Sequence, residues 1–114
     1  MISMSVLALV LSASVCFAQP DAQTLQRQAE QAAHSFDSLK TEVVRMKGRC
    51  KNDACAKAHD VVLHRILVGG DLAAKAAVEL HLKEFSDAAS SVRMASELFA
   101  GLGPQVEELM RKYQ

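Results

Sequence analysis

Cys50 and Cys55 stand five residues apart, and His59 follows the second cysteine by four. These are the residues in the chain best suited to chemistry, as a disulfide, a metal site or a redox pair. Residues 1–18, which hold Cys16, read as a cleavable secretory signal, and the even pair of thiols left in an exported chain is read first as one disulfide. On a continuous α-helix, residues five apart point about 140° away from each other with a rise of about 7.5 Å, which a disulfide cannot bridge. Oxidation therefore requires a turn. Gly48 is suited to leave one helix, and Asn52 or Asp53 to cap the next. A cross-link over so short a loop is worth about 2 kcal/mol in the chain-entropy model.

The metal reading places Cys55 and His59 one turn apart on a helix, with Cys50 reaching in from the turn. It lacks the two-residue CxxC spacing of redox and zinc motifs, and His64, five residues after His59, lies off the shared face. The structural disulfide is preferred, and no metal or other cofactor is expected.

Around the cysteines, Arg45, Lys47, Arg49 and Lys51 alternate through a stretch with no acid between Glu42 and Asp53. Cations at a helix C-terminus complement the macrodipole. The same four side chains are a candidate docking surface for an acidic partner, or for anionic lipid and cell-wall groups.

Elsewhere the chemistry thins out. His34, His64 and His81 sit among apolar neighbours, as His59 does, and are expected to be partly buried and hydrogen-bonded. Ser35, Ser86, Ser90 and Ser91 carry no nucleophile-elbow motif, and Gly69-Gly70 lacks the Lys-Ser or Lys-Thr of a phosphate loop. Met46, Met94 and Met110 fall in or beside apolar faces, where core packing is commoner than haem or copper ligation. No catalytic residue is assigned, and the chain is not expected to be an enzyme.

The address comes from residues 1–18, an uncharged apolar run ending in Cys16-Phe17-Ala18, which reads as a cleavable secretory signal. No Lys or Arg precedes the run, so a retained anchor is the main alternative; lipidation at Cys16 is a further one, disfavoured because Val15 precedes it. Residues 19–114 then form a single domain, periplasmic or secreted, with no membrane span after cleavage. All 13 Lys and Arg and all 13 Asp and Glu lie in it, so its formal charge is zero. With no global positive field, no Trp and one Tyr, nucleic-acid binding is not expected.

The elements that must position these residues are helical. Leu25, Ala29, Ala32, Phe36, Leu39, Val43 and Met46 step by four and three, an a/d seam like that of a coiled coil, predicting a helix from Asp21 to Lys47. A second helix is expected from Asp53 to Val68, ended by Gly69-Gly70, and a third from Asp71, its N-cap, to Ala100 along Val78, Leu82, Phe85, Ala89, Val92, Ser96 and Phe99. Gly101-Leu102-Gly103-Pro104 should break the chain before a short last helix. The fold class is all-α: a small bundle of two long helices, a middle helix and a short C-terminal one. Its surplus apolar seam makes a homodimer an even expectation.

Together these point to an exported interaction module binding another exported protein, as an inhibitor or an assembly chaperone. A self-assembling structural protein is the alternative, and a metal-binding bundle the weaker one.

Overall fold

The structure, a computed structural model, describes residues 21–114; the expected signal, including Cys16, lies outside the described residues. Three helices account for 89% of these residues, with no strand among them. They are α1 (Ala22–Lys47), α2 (Asp53–His81) and α3 (Phe85–Tyr113). They run up, down and up. Phe36 of α1 and Phe99 of α3 both meet the middle of α2, and Gln114 at the end of α3 reaches Met46 at the end of α1. No described helix is long and apolar enough to cross a membrane.

Helix α1 matches its expected bounds. Asp21 accepts from the Thr24 backbone N–H at 2.7 Å, capping the first turn. That bond, with the Thr24 side chain, holds the Asp21 carboxyl below its ordinary pKa range. Leu25, Ala29, Ala32, Val43 and Met46 are buried and Phe36 and Leu39 half-buried, so the whole seam packs inward. From Ala32 to Met46 the partners include Val62, Ile66 and Ala73 from α2 and Ala95, Phe99, Leu102, Val106 and Leu109 from α3, while Ala29 packs with Ala76 and Val92.

The expected fourth helix is absent because the two glycine-bearing breaks are not breaks. Gly69 and Gly70 lie inside α2, which continues to His81, and Asp71 is an interior residue rather than a cap. A Cβ on Gly69 would fall 2.4 Å from the Phe99 ring, and one on Gly70 would fall 2.4 Å from the Phe36 ring. The two glycines are seats for aromatic rings from the flanking helices. Glycine costs an exposed helix roughly 1 kcal/mol relative to alanine, a deficit that ring packing offsets here.

Likewise α3 runs through Gly101, Gly103 and Pro104. Phe99, Leu102, Val106 and Leu109 continue the inward face across the proline. The carbonyl that loses its helical donor belongs to Ala100, an exposed residue, where water can replace the missing N–H.

The turn that does exist, between α2 and α3, falls within the segment expected to be the third helix. Val78 and Leu82, expected on its seam, are each 58% exposed. Lys83 adopts a left-handed conformation (φ 61°). Its N–H donates to the Leu80 carbonyl at 3.0 Å and the Glu84 N–H to the Glu79 carbonyl at 2.8 Å, the Schellman pattern that glycine usually makes. Lys83→Gly is therefore expected to raise stability by about 1 kcal/mol, measured as a higher urea midpoint at unchanged slope.

Candidate functional site

The α1–α2 corner collects the residues that sequence spacing put forward. The α1 helix ends at Lys47, and Cys50 and Cys55 are joined by a disulfide with their Cα atoms 5.5 Å apart. Asn52 caps α2, its Oδ1 accepting from the Cys55 N–H at 2.8 Å. Cap and cross-link thus fix the same six-residue segment from both sides. Cys50 is half-buried and Cys55 is buried in the first turn of α2.

His59 sits one turn further along α2 and is completely buried. Its Nδ1 lies 3.5 Å from Cys50 Sγ, 3.6 Å from Cys55 Sγ and 2.8 Å from the Cys55 carbonyl oxygen, to which a protonated Nδ1 donates. Its Nε2 is buried and has no hydrogen-bond partner among the described residues. A buried ring nitrogen left unpaired is costly to keep, on the order of 1–3 kcal/mol. The Tyr113 ring covers the imidazole from α3, centroid to centroid 5.8 Å and tilted by 55°. His34, His64 and His81 are all exposed, correcting the expectation that they would be partly buried. They lie on outward faces, where a polar ring needs no internal partner.

All four cations expected at this end are here, in two states. Arg45 donates to both carboxylate oxygens of Glu42 at 2.5 Å, which raises the Arg45 pKa and lowers that of Glu42. Lys47 pairs with Asp60 of α2 at 2.7 Å. Arg49 and Lys51, exposed on the turn, make no ion pair among the described residues. Because α3 extends to Tyr113, it brings Arg111 and Lys112 to the same end, with Lys112 Nζ 5.5 Å from the Tyr113 ring centroid and Arg111 paired to Glu108. These two are invisible to a reading that breaks the chain at Gly101.

Halving each helix separates charge along the bundle. Residues 35–67 and 100–114, the corner half, carry nine Lys and Arg against six Asp and Glu; residues 21–34 and 68–99 carry four against seven. A neutral chain is therefore electrically polar.

At the far end, Glu79 is buried and accepts from the Ser91 hydroxyl at 2.6 Å, tying α2 to α3 beside their turn. Ser91→Ala removes that donor and leaves a buried carboxyl oxygen unpaired. The expected loss is about 2 kcal/mol, read from denaturant unfolding, with Glu79→Gln in the same background recovering part of it. Between α1 and α2, Ala29, Ala33, Ala73, Ala74, Ala77 and Phe36 line an open groove of about 320 Å³, shaped by the short side chains where the helices approach.

No family model, curated protein or solved structure matches this chain.

Proposed function

We propose that the protein is an exported interaction module that docks an acidic surface of another exported protein with its disulfide-pinned, cationic end. The supporting observation is the pairing state of the corner cations. Arg45 and Lys47 are neutralised within the bundle, whereas Arg49 and Lys51 project without ion-pair partners among the described residues from a segment held by a cross-link and a helix cap. A pre-fixed turn loses little conformational freedom on binding, so its charges can contribute to affinity and orientation. Inhibition of an exported enzyme and chaperoning of an assembly partner are the two roles that suit such a module. Neither requires catalytic groups.

The test compares in-cell crosslinked capture by the mature chain with capture by Arg49→Glu/Lys51→Glu. The variant should keep the wild-type helix signal and melting temperature and lose the acidic partner. Equal capture by both proteins overturns the reading.

Self-assembly is the second reading, favoured by the opposite charge of the two ends and by exposed apolar side chains such as Val61, Leu67, Val68 and Val78 on α2. It requires the molar mass in solution to rise with concentration and fall with salt.

A further inference from the structure

We propose that the corner is also a redox-gated zinc site, in which reduction of the Cys50–Cys55 disulfide frees two thiolates to bind Zn(II) together with His59 Nδ1. The donor atoms come from three successive places in the chain: the turn, the first turn of α2 and the next turn of the same helix. Within them one atom from each residue lies within 4.8 Å of the others. The chemistry of the set is that of zinc, two sulfurs and one imidazole.

The geometry supports the same ion. With zinc–sulfur bonds of about 2.3 Å and a zinc–nitrogen bond of about 2.0–2.1 Å, a tetrahedral site has a sulfur–nitrogen edge of about 3.6 Å. Nδ1 already stands 3.5 Å from Cys50 Sγ and 3.6 Å from Cys55 Sγ. The imidazole is therefore held at ligand distance from both sulfurs while they are still bonded to each other. Once the bond is cut, only the two sulfurs need to separate, to an edge of about 3.8 Å for the same bond length. Cys50 is half-buried on a turn rather than locked in a helix, so it is the one free to move. His59 Nε2, buried and without a hydrogen-bond partner among the described residues, is the nitrogen that holds the ring proton when Nδ1 turns to the metal. The three residues leave one tetrahedral position for water or another ligand.

The step balances with a dithiol reductant. Its thiolate attacks Cys50 Sγ; the Cys50–Cys55 bond breaks with its electron pair on Cys55 Sγ, which takes up a proton. The reductant's second thiol then attacks the mixed disulfide, releasing Cys50 as a thiol and leaving the reductant oxidised. Zn(II) displaces the two thiol protons to water, and the imidazole proton moves from Nδ1 to Nε2.

The test uses the mature chain in its disulfide form and after reduction with a phosphine, without oxygen, titrated with Zn(II) against a chromophoric chelator. One Zn(II) per chain is expected for the reduced protein only, with a rise in its melting temperature. Cobalt(II) in place of zinc should show thiolate-to-metal charge transfer and tetrahedral ligand-field bands. Cys50→Ser, a change on the half-buried turn that leaves the buried His59 in place, should weaken binding more than about tenfold; His59→Ala should do the same and also weaken the cobalt bands. Equal Zn(II) affinity of the oxidised chain, the reduced chain and Cys50→Ser overturns the site, as does a cobalt spectrum without thiolate charge transfer.

Discussion

Gly69→Ala is expected to destabilise the folded chain by about 1–3 kcal/mol, although the same change in an unpacked helix would stabilise it by about 1 kcal/mol. The sign follows from what occupies the missing side chain's place. A Cβ at position 69 would sit 2.4 Å from Phe99 Cε1 and 2.7 Å from its Cζ, and Phe99 is itself 6% exposed, with little room to retreat. The ring must tilt or α3 must shift away, and close-packed interiors resist both. Gly70→Ala meets Phe36 at the same 2.4 Å, but that ring is only half-buried and can swing toward solvent, so its loss should be smaller. The comparison to make is chemical unfolding of Gly69→Ala, Gly70→Ala, Phe99→Leu and the double variant Gly69→Ala/Phe99→Leu. The double variant should be less destabilised than the sum of its parts, since the smaller side chain leaves space for the new methyl. A stabilising Gly69→Ala would mean that α2 and α3 do not pack through this contact.

Replacing both cysteines by alanine is expected to cost about 2–3 kcal/mol. Of this, about 2 kcal/mol comes from releasing a six-residue loop in the unfolded chain, and the remainder from lost packing at Cys55, which is 3% exposed. For a domain of this size, whose total stability is of the order of 5–15 kcal/mol, that is a large share. Thermal unfolding with and without reductant measures it: wild type should melt lower when reduced in metal-free buffer, and the double-alanine variant should not respond to reductant. Asn52→Ala should add a further loss of about 1 kcal/mol, because the cap on the Cys55 amide holds α2 in either redox state.

The corner was readable because local rules there agree with one another. A disulfide over five residues demands a turn, Gly48 and Asn52 supply its ends, and the structure has all three. The α1 seam was readable for a similar reason: an unbroken four-and-three spacing has only one helical interpretation.

What sequence rules missed lies where tertiary packing overrides them. Gly69-Gly70 reads as a stop by local propensity, but two aromatic rings from other helices use the space, and those rings lie more than 25 residues away in sequence. Pro104 reads as a start, but the inward face from Phe99 to Leu109 carries α3 through it. The real turn at Leu82, Lys83 and Glu84 has no glycine, proline or asparagine to mark it; it exists because backbone bonds to Glu79 and Leu80 close a left-handed cap on a lysine. The same misplacement hid Arg111 and Lys112 from the cationic end. His59 was visible as a one-turn neighbour of Cys55, whereas its closeness to both sulfurs depends on how the turn folds Cys50 back.

The most direct measurement of how this protein works is site-specific photo-crosslinking in the cells that produce it. A photoreactive residue is placed in turn at Ala54, exposed on the pinned corner with Arg49 and Lys51 left intact, and at Lys75 in the acidic half. A foreign, acidic protein adduct from Ala54 and none from Lys75 is the expected result. Adducts from Lys75 alone, or only self-adducts from both positions, would contradict docking through the cationic corner.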